Sequence, residues 1–479
     1  MKPLGSTIVV IACCIRSADA ADAAVADSVP ASQSDSPTYV RDIAPIMQAN
    51  CVDCHCTNGA APFSLQTYEE VKKRALQISK VTESGFMPPW QAAEQPKGLE
   101  FFGERHLGPA PIELIAAWVK SGAIEGDAIE RQDNDVRDVA ASAPATQITT
   151  SQPEECAPKD IVLKLAHAID IPAEGNDLLY SFVLPTNLDH DVWAKRVEFV
   201  PSNPRIVHHA SLLADDTGIA KQLAANSPTE SFLGMGSIGL NAAGSFGTWT
   251  AGGAEAELPR PLARKIKKGS DIVAEVHFGP TGKIEPFTFE VKLTLCKPGD
   301  GDANAEDAYM PVTTVTLGSY VLDIPAGERG YTVEDTFELP CNATLISLTP
   351  HAHYVAQRMR VTAILPKGGE VQLLRIDDWD FNWMREYQFV KPVALPKRTK
   401  IRMQYVYDNT ADNPQNPFNP PQEIKAGHTT ADEMAQLLLT VAVSDEEEVG
   451  VMEQAHRAAV GRRIAEKQKR AESRSQNPE

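Results

Sequence analysis

From Tyr39 to about Asp127 the apolar positions recur with a helical period. "YVRDIAPIMQAN", "TYEEVKKRALQISKVTES" and "PIELIAAWVKSGA" each carry an apolar stripe on a polar background. In the last, Ile112, Ile115, Ala116 and Val119 form one face, with Pro111 opening the helix and Gly122 closing it. The pattern predicts three helices in a small all-α domain over residues 38–128. From Glu130 to Glu155 the aromatics vanish and large aliphatics thin out, which predicts a linker at 129–155. As a flexible coil it spans roughly 25–30 Å, enough for the helical domain to swing. After Cys156 the period drops to two. "DIVLKLAHAIDI", "LLYSFVLP", "DIVAEVHFGP", "FEVKLTL", "MRVTAILP" and "IRMQYVYDN" alternate and are broken by Pro, Gly and Asn, as antiparallel sandwiches require. The stretch is too long for one sandwich, so two are expected, 156–306 and 307–445, divided near Glu306 in "KPGDGDANAEDAY". The charge-dense end, 446–479, reads as a helical or disordered tail. The expected chain is multidomain: a small all-α domain, then two all-β antiparallel sandwiches.

Composition adds a compartment and removes some partners. With 43% hydrophobic and 23% charged residues the 479-residue chain has the balance of a soluble globular protein. Its formal charge of -19 argues against nucleic acid and against anionic membrane surfaces, both of which need basic patches. At the start, Lys2, the apolar run Ile8 to Ile15, and Ala18 with Ala20 read as a secretory signal over 1–20, too short to span a bilayer. A flexible leader follows at 21–37. This predicts export to a periplasmic or extracellular space with no integral membrane span. Val10-Ile11-Ala12-Cys13 also reads as a lipobox, in which case Cys13 tethers the chain.

The cluster "NCVDCHCTNG" carries the first chemistry. Haem attachment needs two thiols near two vinyl groups and an imidazole beside them for iron, and Cys51, Cys54 and His55 supply all three as C-x-x-C-H. A zinc site would need a second ligand pair, where the domain offers Cys56 and His106 without the usual spacing. A thioredoxin-like pair would need a βαβ context, and this region is helical. A haem c is therefore expected, with Met87 in "GFMPPW" as its distal ligand, presented from a proline-fixed segment. Met47 is the rival, but it lies on the helical stretch leading into the cysteines. The segment Tyr39 to Asp127 resembles a c-type cytochrome domain, with Cys56 a departure from that pattern.

Histidines carry the second chemistry. "RIVHHASLL", "AEVHFGPTG" and "TPHAHYVAQ" hold five of the eleven. His351 and His353, at i and i+2, point to one face of a strand; His208 and His209 point to opposite faces unless a bulge re-aims one ring. Imidazole-rich sites suit copper or zinc, and imidazole with thioether suits copper in particular. The His-His pair, the "VHF" histidine, the H-x-H and the later "GHTTADEM" ending in Met434 resemble the copper type II, ascorbate-dependent monooxygenases, the family of peptidylglycine α-hydroxylating and dopamine β-monooxygenases.

That resemblance implies two jelly rolls, each holding a copper: His208, His209 and His277 on one, His351, His353 and Met434 on the other, facing across a solvent-filled cleft. It also implies a disulfide between Cys156 and Cys296, and leaves Cys341 without a partner. The peptide-amidating members hold a substrate carboxylate with an Arg, an Asn and a Tyr; here those positions are Thr349, Gln436 and Leu438, so a C-terminal glycine peptide is not the expected substrate. His428, six residues before Met434, is either a second-sphere group or polar loop. Trp379, Phe381 and Trp383 read as core or edge aromatics, and His106, His167, His190 and His456 as ordinary structural histidines. Together these features predict a monooxygenase that hydroxylates a C–H bond of a small organic substrate with O2. Its electrons would come from an external donor, ascorbate or a redox protein, through the fused haem c to the three-histidine copper. The alternative is an exported, non-catalytic haem and copper electron-transfer protein.

Overall fold

Period-two alternation governs most of the chain, and strands outweigh helices in the structure. The computed structural model describes residues 36–57, 59–126, 160–175, 177–225, 227, 231–233, 245–250, 253, 257–296 and 309–476. The expected signal, Cys13, most of the leader, the linker, Cys156 of the expected disulfide and the division at Glu306 lie outside them.

Three large sheets form the β region. Five strands, Ser231–Leu233, Leu178–Pro185, Asp271–Phe278, Val207–Asp215 and Ser245–Thr250, hydrogen-bond in that order. Four more, Arg329–Glu338, Lys400–Asp408, Ala356–Ile364 and Glu370–Ile376, make a second sheet. A third sheet of eight strands backs both, in the order Asp160–Lys164, Phe289–Leu295, Val192–Pro201, Leu262–Ile266, Met310–Ser319, Ala435–Ala442, Ala343–His351 and Tyr387–Leu395. Its two halves meet in a parallel pairing of two rungs, Met310 with Leu262 and Pro311 with Ala263. The two expected sandwiches thus share one continuous sheet, joined at that strand pairing.

Inward positions fill each core. Phe182, Ile272, Ala274, Val276, Phe278 and Phe287 are fully buried in the first, and Leu345, Leu348, Val361, Ile401, Met403, Tyr405 and Leu437 in the second. Alternation is plain along Lys400–Asp408, where Ile401, Met403 and Tyr405 point in between half-exposed neighbours. It disappears along Asp271–Phe278, where Ile272, Ala274, Val276 and Phe278 face the sandwich core and, on the other face, Val273 packs with Val183 and with Ala220 and Ala224 of the short helix Ile219–Ala224.

The helical segment holds four α-helices, Ala44–Asn50, Tyr68–Lys73, Ala75–Glu83 and Pro109–Lys120. The second predicted helix is divided at Arg74, whose backbone leaves the helical region. Thr67 and Glu70 start it with a reciprocal capping box. In Pro109–Lys120 the buried positions are Ile115 and Trp118, whereas Ala116 of the expected face is exposed. The larger indole takes the interior and donates its N–H to the Ile124 carbonyl at 2.9 Å. Met47 is a core residue beside Ile43, Val71 and Ile115.

This segment does not hang free on a linker. Ala92 pairs with Ile376 and Phe101 with Phe389 as β-bridges. The Phe102 amide donates to Gln388 O at 2.7 Å, and the Val390 amide to Glu100 O at 2.9 Å. Ala92 and Phe101 are buried in the core of the second sandwich. The expected swing is replaced by docking, because residues 87–106 lend apolar side chains and backbone hydrogen bonds to that sandwich.

The charge-dense end is also more ordered than its composition suggests. Glu446–Gln476 is a continuous helix. Met452, His456, Ala459 and Arg463, spaced four, three and four, are buried along one side. The sparse stripe suffices because the long polar side chains join it: Arg463 reaches Asp335 and the Thr316 carbonyl, each at 2.8 Å, and the Thr316 amide donates to His456 Nε2 at 3.1 Å. Among the described residues no helix is long and apolar enough to cross a membrane.

Candidate metal centre

His208, His209 and His277 come from two neighbouring strands. Val207 pairs with Phe278 and His209 with His277, so His208 is the extra residue of a β-bulge. The bulge re-aims its ring: His208 and His209 both approach His277, with ring centres at 5.0 and 5.1 Å. Gly279 makes room, since a Cβ there would meet His208 Nε2 at 2.3 Å. Asp177, just before the strand Leu178–Pro185, places Oδ2 at 3.3 Å from His277 Nε2, close in charge but without hydrogen-bond geometry. Burial raises the Asp177 pKa, but His277, His208 and Thr430 outweigh it and hold the carboxyl below its usual range.

His351 ends the strand Ala343–His351, and His353 follows in a turn, with ring centres 5.4 Å apart. Met434 stands immediately before the strand Ala435–Ala442, with Sδ 3.2 Å from His351 Nε2. Buried Glu433 organises this end. Its carboxylate accepts the amide hydrogens of His353, of Met434 at 2.8 Å and of Val355 at 3.1 Å. Burial pushes Glu433 up to about 8 even though those amides pull it down. His353 Nδ1 lies 3.0 Å from the Asp432 carbonyl and Tyr407 Oη donates to the Met434 carbonyl at 2.8 Å, so both side chains hang from fixed backbone.

The two histidine sets do not face each other across a cleft. His209 and His351 are in edge contact, ring centres 5.5 Å apart, and Phe381 fills the space between the sets at 5.8 Å from His208, 6.2 Å from His277 and 5.6 Å from His353. The solvent-filled cleft is corrected to a single buried cluster. Phe381 and Trp379 are both buried core aromatics, as expected; Phe381 is also a wall of that cluster, and Trp379 donates its N–H to the His353 carbonyl at 3.1 Å.

Burial lowers His208, takes His209 and His351 well below the usual histidine range, and brings His353 to about 4. The rings are therefore neutral at ordinary pH, the form a metal ligand needs. His209 Nδ1 is buried without a hydrogen-bond partner, and buried His277 Nε2 has the Asp177 carboxylate 3.3 Å away. An unmet ring nitrogen in a dry site is costly, and a cation with affinity for imidazole would satisfy it. Among the described residues no group of three or more His, Cys, Asp or Glu is already arranged around one metal position. The rings meet through edges and faces, and part of the donor set is thioether. The donor chemistry, imidazole with thioether, fits copper.

Thr349 and Leu438 pair across adjacent strands, and Gln436 pairs with His351, so the three positions that differ from the carboxylate-binding pattern lie side by side next to the cluster. Met384, which drew no attention in the sequence, lies with Sδ 2.8 Å from His351 Nδ1.

In the helical segment Cys51, Cys54 and His55 follow the helix Ala44–Asn50. His55 Nδ1 is 3.0 Å from the Phe63 carbonyl, an arrangement that fixes the tautomer and leaves Nε2 free for iron. Arg105 donates to Cys54 Sγ at 3.6 Å, and burial together with Cys54 pushes the Cys51 thiol up to about 11. These residues fit haem attachment. Met87 is half-buried with its amide on the Val81 carbonyl, and among the described residues no hydrogen bond or ring contact joins it to His55. Cys56 is a half-buried thiol near the Asp53 carbonyl, Cys296 a half-buried thiol, and Cys341 a buried one. His190 is exposed beside Asp189, His167 is exposed, and His106 reaches the Ala92 carbonyl at 3.3 Å.

Trp90, from "MPPW", lies edge-on to Tyr387 at 5.5 Å and under the Arg385 guanidinium at 5.0 Å. Arg385 is the residue after Met384, so a short run of contacts joins the helical segment to His351. Phe381, Met384, Arg385, Asp177 and Glu433 are the residues that pattern reading missed. Of these only Glu433 had a signal, its place beside Met434; the rest depend on how two distant strand ends are brought together.

No protein-family model matches the chain, and no curated protein matches it. Among solved structures, an infectious bursal disease virus particle (Gx strain) aligns at 9% identity over 61% of this chain and 74% of its own, with a TM-score of 0.19. A two-domain protein of unknown function from Bacteroides fragilis aligns at 12% identity over 58% and 94%, with a TM-score of 0.16. Broad bean stain virus aligns at 9% over 65% and 94%, with a TM-score of 0.23.

Proposed function

We propose that the protein is a copper-dependent monooxygenase that hydroxylates a C–H bond of a small organic substrate with O2 and takes its electrons through a haem c held by the N-terminal segment. One observation carries the reading: His208, His209, His277, His351, His353 and Met434, widely separated in sequence, converge in one buried to half-buried cluster in which His209 Nδ1 has no hydrogen-bond partner. In this reading the sandwiches are jelly rolls, the helical segment is a c-type cytochrome domain, and the protein works outside the cytoplasm after export. Bound copper would supply one-electron redox change and activation of O2.

The chain's own residues supply the rest. His208, His209 and His277 would hold one copper, and His351, His353 and Met434 the other, where the thioether favours the cuprous state. Glu433, Asp432 and Tyr407 keep His353 and Met434 in register by holding their backbone. Phe381 excludes water from the space between the sets. Cys51 and Cys54 would carry the haem and His55 would ligate its iron. The contacts from Trp90 through Arg385 to Met384 support delivery at the His351 end, whereas the sequence suggested the three-histidine set.

The test is copper and haem content per chain of the full protein, with O2 consumption, on the native chain and on Met434→Ala. Two coppers and one haem, with O2 consumption lost in the variant, support the reading. One haem without copper overturns it. Copper and haem with no O2 consumption under any reductant would favour the non-catalytic electron-transfer protein.

A further inference from the structure

Arg385 is 7% exposed, yet among the described residues its guanidinium makes no hydrogen bond and no ion pair. What it has is the face of Trp90, 5.0 Å away. Trp90 meets His106 edge-on at 6.0 Å, and the residue before His106, Arg105, donates to Cys54 Sγ at 3.6 Å. Burial lowers the Arg385 pKa; Tyr387 raises it, Arg105 lowers it and Cys54 raises it, so the guanidinium lies within reach of the charges of Arg105 and Cys54. Two cations thus stand at the Cys54 end of the C-x-x-C-H, one from the helical segment and one from the second sandwich. They differ in compensation. Arg105 has the Asp53 carboxylate at 3.5 Å. The carboxylates nearest to Arg385 along the two segments are engaged elsewhere, Glu104 beside His106 at 3.6 Å and Glu386 on the Ser347 hydroxyl. Tyr387 is a neutral phenol, held so by burial. An unpaired charge in a dry place is costly, a cation–π contact offsets only part of that cost, and a guanidinium cannot escape it by losing its proton. Packing alone does not call for the charge, since an unbranched apolar side chain would also cover Trp90.

We propose that Arg385 sets the reduction potential of the haem c: by holding the helical segment against itself, the second sandwich brings a buried, unpaired positive charge to the Cys54 side of the haem and favours ferrous over ferric iron. The proposal rests on the reading of Cys51, Cys54 and His55 as a haem attachment site. When the Cys54 S–H adds across a vinyl group, a C–S and a C–H bond form, the vinyl double bond is lost, and the sulfur becomes a neutral thioether that cannot balance the guanidinium. Reduction then brings one electron to the iron from the external donor, with no bond made or broken at Arg385, whose fixed charge alters only the free energy of that step. A unit charge roughly 10 Å away, at an effective dielectric of about 20, shifts a one-electron equilibrium by about tenfold. Because the charge is buried, added salt screens it little.

The experiment is a spectroelectrochemical titration of the haem in the full chain at pH 6, comparing native protein with Arg385→Gln, Arg385→Met and Arg385→Lys at low and high salt. Absorption spectra of both oxidation states check that the iron keeps its ligands, and thermal unfolding checks the fold. In the two neutral variants the ferrous-to-ferric ratio at a fixed potential is expected to fall by about tenfold, a midpoint lower by about 59 mV, and the difference should persist at high salt. Arg385→Lys keeps the charge and should stay close to the native midpoint. A native midpoint in whichever neutral variant carries haem overturns the inference and leaves the haem reading intact. An equal fall in all three variants also overturns it, because the effect then belongs to packing on Trp90. Native protein without covalent haem overturns both.

Discussion

Glu433 shows how a single side chain can define a site it does not itself complete. Its two oxygens collect amides from both sides of the cluster, from His353 and Val355 on one chain segment and from Met434 on the other. Replacing it with Gln keeps the shape but, above pH 8 where the carboxyl is ionised, turns one acceptor into a donor facing those amides. Glu433→Gln should therefore lower stability by about 1–3 kcal/mol, the cost of a buried donor left unmet, seen as a lower midpoint in thermal unfolding of the metal-free chain. Gly279 gives a second expectation. A methyl group at that position collides with His208 Nε2, so Gly279→Ala should leave the circular dichroism unchanged while weakening copper binding at the proposed site of His208, His209 and His277 by about tenfold, measured by chelator competition. Unaltered affinity would mean that the bulged histidine is not a ligand. At this scale the sequence was readable where chemistry sits in short motifs; it marked Phe381 as a core or edge aromatic but not as a neighbour of the histidines, since His208 lies more than a hundred positions away, and it was silent at Met384.

Elements carry the next level of information. The alternating runs identified the strands well because each faces one core, yet the decisive irregularity, the bulge at His208, is a matter of pairing between two strands and has no mark of its own beyond the doubled histidine. The terminal helix was harder to read, because its contact stripe is two apolar residues helped by His456 and Arg463. That composition makes docking sensitive to acid. Burial, reinforced by the charge of Arg463, lowers His456 to about 4, and its Nε2 accepts the Thr316 amide, which needs the neutral ring. Above pH 6.5 the ring is neutral whether the helix is docked or released, so its contribution is complete. As pH falls from about 6.5 towards 4 the released helix takes up a proton that the docked ring refuses, and docking weakens. Hydrogen exchange of the amides in Glu446–Gln476 should therefore speed up between pH 6.5 and 4 relative to the core strands, after correction for intrinsic rates. In His456→Gln that extra pH dependence should disappear.

Across the whole molecule, the segment around Trp90 and Phe101 turns what looked like a tethered helical unit into part of the second sandwich. Phe101 stacks among Trp90, Tyr387 and Phe389. Phe101→Ala should cost about 3–5 kcal/mol at this junction and raise hydrogen exchange across 87–106 while the strand Asp271–Phe278 stays protected; equal protection in both would show that the contact contributes little. No compositional signal marks such docking, since residues 87–106 carry neither a strand-like alternation nor a helical stripe. The joining of the two sandwiches was equally hidden, because two rungs between Leu262–Ala263 and Met310–Pro311 leave no trace in either hydrophobic pattern. That seam has a mechanical meaning. Ile346 packs against Leu262 and Val312 beside it, and His351 lies five residues farther along the same strand, a lever arm of roughly 17 Å. A small pivot at the two rungs would be magnified at the rings, so the cluster would be opened by leverage, as jaws are, and a guest would be admitted by the angle between the halves.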